Sequence, residues 1–154
     1  MPQKRIYLVI MDETGEARLA LRYAARRAAR TGGTVHILAL VPRQDFSPFG
    51  GVQATIEQEA RDRAEVLAST AASGLASEEG LSPVISVLEG EGARAVRTYL
   101  AAHPEVSALV LGAAAEGPPG PLVSHFAAHD AGKLPCPLMI VPGSMSEEEV
   151  DRLS

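Results

Sequence analysis

Residues Ile6–Met11 read IYLVIM, six apolar side chains in succession. A strand with one wet face alternates polar and apolar residues, so an unbroken apolar run of this length describes a strand covered on both faces. Such strands belong to parallel sheets held between two layers of helices. Similar runs recur at Thr34–Val41 (TVHILALV), Pro83–Leu88 (PVISVL), Val106–Leu111 (VSALVL) and Leu138–Val141 (LMIV).

Helical stretches separate them. Thr14 offers an N-cap for an Ala- and Arg-rich stretch over Ala17–Ala29, with Glu16 in its first turn and Thr31-Gly32-Gly33 as its stop. A loop over 42–53 precedes Thr55-Ile56-Glu57-Gln58, whose spacing fits a capping box for a long helix ending near Ser73 or Leu75. The Gly/Ala/Ser-containing stretch that follows, to Gly80, reads as a frayed helix end. Gly92–Ala102 reads as a third helix closed by His103-Pro104, and Leu122–Lys133 as a fourth. Ser146 with Glu149 spells a second capping box for a short terminal helix through Leu153. Strict alternation of strand and helix predicts an α/β fold of three layers, a parallel sheet with helices on both faces. The expected organisation is one domain over 1–143 followed by a short helical tail over 144–154.

Composition narrows the functional classes. Aromatics are 4% of the 154 residues and Trp is absent, so the core must be built from Ala, Leu, Val and Ile. A net charge of −5 argues against a nucleic-acid partner held by the overall field. The single cysteine, Cys136, cannot form an intramolecular disulfide and reads as a structural thiol. The first apolar run is too short for a signal-peptide core, and no stretch approaches the ~20 apolar residues of a membrane helix. A cytoplasmic protein with no membrane partner is expected.

In an open α/β sheet, ligands bind beyond the carboxyl ends of the strands, where strand order reverses. Those ends offer Asp12, Leu40, Gly90 and Gly112. At these positions the chain resembles the universal stress protein family. The first strand ends in the family's aspartate, in VIMDETGEA, and the second in LALV, near its leucine-histidine-valine pattern. EGEGARAV is similar to the family's glycine-then-helix step, VSALVLG to its fourth strand and LPCPLMIVP to its fifth, together spanning Arg5–Pro142. The resemblance implies a five-stranded sheet in the order 3-2-1-4-5, of the adenine nucleotide alpha hydrolase-like type. It also implies homodimers, with Asp12 near the adenine or ribose. In ATP-binding members the phosphates sit in a loop of the form Gly-x-x-Gly, a spacer, then Gly-Ser or Gly-Thr.

That loop is altered here. Gly112 matches the first glycine, Ala115 replaces the second, and the final pair falls on His125-Phe126 counting forward nine residues or on Ser124-His125 counting back from Pro135. Phosphate loops aim backbone N–H groups at oxygens, and Pro118, Pro119 and Pro121 have none to offer. Gly117 and Gly120 remain for a different cradle, and Ser124 and His125 sit where a helix dipole favours anions. The nucleotide-site candidates are therefore Asp12, Leu40, Gly90, Gly112, Ala115, Ser124 and His125, with ATP or AMP as a weakly held ligand at most. Asp12 is equally natural as a helix N-cap.

Other residues carry less. His125 and His129 lie one turn apart beside Asp130, a metal-like spacing with no third ligand evident. Arg18, Arg22 and Arg26, with Arg27 and Arg30 nearby, form a basic stripe that suits either an anion or plain solvent. Ser124 lacks the G-x-S-x-G setting of a hydrolase nucleophile. Two functions stay open: a stress-response dimer that acts by binding a protein partner or a weakly held adenine nucleotide, and an ATP-binding enzyme such as a weak ATP hydrolase or adenylate transferase. The second needs a cation at the transferring phosphate, and Lys133 is the only basic residue close to the loop in sequence. Leu138, Met139, Ile140 and Val141 form the candidate dimer edge, and Val150 and Leu153 of the terminal helix are placed to pack on the partner.

Overall fold

The computed structural model describes residues 3–41 and 50–154, with side chains described from residue 55 onward in the second segment. Five parallel strands form one sheet in the order β3-β2-β1-β4-β5: β1 Ile6–Met11, β2 Thr34–Val41, β3 Val84–Glu89, β4 Ala108–Ala113 and β5 Leu138–Pro142. β1 pairs with β2 (Ile6 opposite Thr34) and with β4 (Tyr7 opposite Ala108), so the order reverses between β1 and β4. The inferred three-layer fold is the observed one.

Alternation along the central strands divides the core in two. Tyr7, Val9 and Met11 of β1 face α1 (Gly15–Thr31) and α2 (Gly50–Glu79), where they pack with Ala20, Ala24, Val35 and Ile37. Leu8 and Ile10 face α3 (Gly92–Ala102) and α4 (Pro121–His125), against Val96, Leu100 and Phe126. The Ala-rich side of α1, with Ala20, Ala24 and Ala28 fully buried, lets that helix lie close on the sheet. No helix among the described residues is long and apolar enough to cross a membrane.

Several boundaries differ from expectation. Thr14 caps α1 as expected, its hydroxyl accepting from the Ala17 N–H at 3.2 Å. By contrast, α2 already begins at Gly50, so Thr55 lies inside it and not at its cap. No breaker stands between Gly51 and Thr55, and a helix running through a capping box overrides it. The rest of the expected loop, 42–49, lies outside the described residues. α2 also runs past Leu75 to Glu79, because Leu75 is buried and Glu79 pairs with Arg26 of α1 at 3.5 Å. Gly80, at φ +67°, then ends it. β4 starts two residues later than expected and extends to Ala113. The expected helix over 122–133 is three pieces: α4, a π turn at Phe126–Asp130 and a 3₁₀ turn at Ala131–Lys133.

The tail forms α5 (Glu147–Leu153), with both hydrogen bonds of the Ser146/Glu149 capping box made at 3.1 Å. The basic stripe of α1 holds it. Arg22 donates two bonds to the Asp151 carboxylate, at 2.7 and 2.9 Å, Arg26 pairs with the same carboxylate at 3.2 Å, and Arg30 donates to the Ser154 carbonyl at 2.9 Å. These three arginines therefore serve an intramolecular dock. Val150 is fully buried in the chain's own core, which removes it from a partner's reach, while Leu153 stays exposed.

This dock is expected to respond to acid. The Arg22 hydrogen bonds, and behind them the charges of Arg22, Arg26 and Arg30, hold the Asp151 carboxyl below its ordinary range against the opposing effect of burial. A depressed folded-state pKa contributes stability that is present above the ordinary carboxylate range and is lost as pH falls through the depressed value. Lowering the pH from about 7 to below that depressed value should release α5 and expose the Val150 and Leu153 amides to hydrogen exchange. Asp151→Asn should exchange faster already at neutral pH and show a smaller acid step. Equal protection in wild type and variant at neutral pH would refute the account.

Candidate functional site

A cleft of about 800 Å³ opens at the carboxyl ends of β1, β2 and β3, on the face covered by α3 and α4. Its lining includes Asp12, Leu40, Gly90 and His125, four of the seven sequence candidates, which come from four different segments of the chain. Ile10, Leu88 and Leu122 supply apolar walls.

Asp12 is not the helix cap. Its Oδ1 accepts from both the N–H (2.8 Å) and the hydroxyl of Thr14, and Thr14 in turn caps α1. The turn after β1 is thus locked by its own side chains, and both of these bonds use Asp12 Oδ1. Gly90 has φ +123°, a conformation that L side chains rarely adopt, and it turns the chain from β3 toward α3.

The start of α3 is already occupied by a carboxylate. Glu91 is its N-cap, with Oε1 accepting from the Ala93 N–H at 3.0 Å and Oε2 from the Arg94 N–H at 2.9 Å. Those two bonds hold the Glu91 carboxyl below its ordinary range. Sequence reasoning passed over this residue, since Glu is not among the favoured caps; an acid just before a Gly-Ala helix start was the available signal.

Three sequence candidates lie elsewhere. Gly112 serves backbone packing: a Cβ there would lie 2.1 Å from the Glu16 carbonyl oxygen, so β4 and the first turn of α1 approach as only glycine allows. Ala115 faces a separate groove of about 650 Å³ lined by α1 and α2. Ser124 is exposed on α4, its N–H bonded to the Gly120 carbonyl at 2.9 Å. The loop between β4 and α4 closes on itself through Ala114 N–H to the Pro119 carbonyl at 3.0 Å, which consumes a further donor.

His125 contacts α3. Its Nε2 lies 2.9 Å from Asp130 Oδ2, and Arg97 Nη1 reaches that same oxygen at 2.9 Å. The hydrogen bonds from His125 and Arg97 keep the Asp130 carboxyl low. A histidine and an acid five residues apart meet because the π turn between them widens the helix. His129 is a neighbouring ring at 5.6 Å and completes no metal-type cluster with His125 among the described residues.

The structure also supplies what the sequence near the loop lacked. Arg94 lines the cleft and Arg97 borders it through His125, both carried there by α3 and distant from the loop in sequence. Against them stand Asp12, Glu89 and Glu91, all in the lining. Cys136 is half-buried, and burial pushes its thiol up, as suits a structural role.

Similar structures share this architecture. The universal stress protein UspA from Lactobacillus plantarum superposes with a TM-score of 0.76 at 19% identity, covering 92% of this chain and 99% of the other. The universal stress protein from Archaeoglobus fulgidus, solved in complex with dAMP, gives 0.58 at 20% identity over 92% and 99%. A universal stress protein family protein from Arabidopsis thaliana, solved with AMP bound, gives 0.62 at 12% identity over 90% and 91%. No curated protein matches the chain significantly in sequence. Residues 4–142 match the Universal stress protein family, and the sheet order and the cleft at the carboxyl ends of the strands agree with that match, so the chain belongs to this family.

Proposed function

We propose that this protein is a cytoplasmic stress-response homodimer that acts by weakly binding an adenine nucleotide, without turning it over. The observation that carries the reading is the cleft at the carboxyl ends of β1–β3, with Asp12 placed to meet a ribose or base and leucines flanking a space of suitable size. The Archaeoglobus and Arabidopsis relatives, solved with dAMP and AMP, support an adenine ligand.

The charge of the lining sets which nucleotide is favoured. Among the described lining residues, Asp12, Glu89 and Glu91 stand with one exposed guanidinium, Arg94, and with His125 at the edge, and Glu89 is paired with Arg61 at 3.6 Å. The N–H groups that open α3 are spent on Glu91, and the prolines of the β4–α4 loop offer none. A triphosphate would enter a net negative site without its usual cradle, so AMP is expected to bind no less tightly than ATP. Hydrolysis would need a cation held on the transferring phosphate. Arg97 is engaged with Asp130 and Arg61 with Glu89, which among the described residues leaves Arg94 in the lining.

Calorimetry with AMP and ATP tests this. AMP should bind in the micromolar to millimolar range, and Asp12→Ala should weaken it about tenfold, or 1.4 kcal/mol. An unchanged affinity in that variant would remove Asp12 from the site. Sub-micromolar binding of ATP, or steady phosphate release from it, would overturn the reading.

A further inference from the structure

At the other end of the sheet, a second group of side chains converges. His36 lies in β2 four residues before Leu40, so about 13 Å separates it from the nucleotide cleft along the strand. His103 caps the C-terminus of α3, and Glu105 follows in the next turn. One ring nitrogen of each histidine and one carboxylate oxygen of Glu105 all lie within 4.8 Å of one another. We propose that His36, His103 and Glu105 form a binding site for a divalent transition-metal ion, zinc being the best match to two imidazoles and a carboxylate.

Four features of the surroundings support it. The donor set is that of open zinc sites, with three protein ligands and a position left for water. Tyr99 orients both rings: its hydroxyl lies 2.7 Å from His36 Nδ1, and its ring stacks on His103 with centroids 4.1 Å apart. Metal-bound histidines are commonly oriented in this way by neighbouring groups. The C-terminal carbonyls of α3 give His103 a negative local field, which favours a cation. His36 is buried while His103 and Glu105 are partly exposed, so one ligand is fixed and the other two can close on an ion entering from solvent.

The required movement is small. Tetrahedral zinc with bonds near 2.0–2.1 Å separates its ligand atoms by about 3.4 Å. The longest separation here must shrink by at most about 1.4 Å, and the His103–Glu105 contact at 2.9 Å opens to admit the ion.

The test is a metal titration of chelator-treated full-length protein. Cobalt(II) should bind one per chain with visible bands of a four- or five-coordinate nitrogen–oxygen site, and zinc should displace it. His103→Ala and Glu105→Gln, both at partly exposed positions, should each weaken zinc binding at least about tenfold with the helical circular dichroism unchanged. His129→Ala should bind as wild type does. No saturable binding, undiminished binding in both site variants, or a loss confined to the His129 variant would each overturn the proposal. AMP affinity should be the same with and without zinc, since the two sites lie at opposite ends of the sheet.

Discussion

Gly112→Ala is expected to destabilise the protein by about 3 kcal/mol, the upper end for overpacking a core. The added methyl would sit 2.1 Å from the Glu16 carbonyl oxygen and 2.4 Å from its carbon, and both atoms are backbone. A flexible side chain could swing aside, whereas here β4 and the first turn of α1 must separate. That turn follows directly from Asp12 and Thr14, so nucleotide affinity should fall along with stability. Urea denaturation gives the first quantity from a lower midpoint at unchanged slope. Gly132→Ala is the control, because a methyl added there would meet nothing within 4 Å and its backbone is not in the left-handed region. A Gly112→Ala protein within about 0.5 kcal/mol of wild type would refute the packing role.

Ile140→Pro should weaken the proposed homodimer about a thousandfold. β5 is an edge strand, and its hydrogen bonds show which groups are free. Leu109 N–H bonds to the Pro137 carbonyl at 2.9 Å, and Gly143 N–H to the Ala113 carbonyl at 2.7 Å. Because a parallel strand turns alternate residues to alternate neighbours, odd-numbered residues of β5 face β4 and even-numbered ones face outward. Ile140 therefore directs its N–H at the open edge, and its side chain is 41% exposed beside Met139 and Leu153. Proline there leaves the β4–β5 ladder intact but removes an outward donor. In a two-fold dimer each loss counts twice, and together with the lost apolar contact it amounts to roughly 4 kcal/mol. Light scattering at high micromolar concentration reads the result. A wild-type monomer, or a dimer that tolerates the proline, would sink this interface. The opposite edge is the specific alternative: Val84 and Ile85 of β3 are 45% and 40% exposed, and Gly90 N–H bonding to the Val41 carbonyl places the Ile85 N–H outward. A dimer lost in Ile85→Pro and kept in Ile140→Pro would belong to β3.

Local chemistry made much of the fold legible. IYLVIM is a strand because six consecutive apolar side chains need cover on both faces, and Thr14 and Ser146 cap helices because their hydroxyls reach N–H groups within one turn. Such signals act over a few residues, so the sequence carries them whole. Such signals do not settle how far an element runs or how regular it stays. Thr55 spells a cap inside a continuing helix, and the segment after Phe126 opens into a π turn as His125 and Asp130 meet.

By itself, the sequence determined the alternation of strand and helix, the caps, and the loss of N–H donors from the phosphate loop. Together with the family resemblance it also indicated the strand order. Only the tertiary structure decided which polar groups meet. Arg22 and Asp151 are 129 residues apart, Arg97 and Asp130 are 33 apart, and His36 and Tyr99 are 63 apart. Each pair comes together because parallel crossovers return the chain to the same end of the sheet, and spacing along the sequence does not encode that return. For the same reason Arg94 reaches the cleft while Ser124 and Ala115 do not: α3 starts at the carboxyl edge, whereas the β4–α4 loop folds back on its own Pro119 carbonyl.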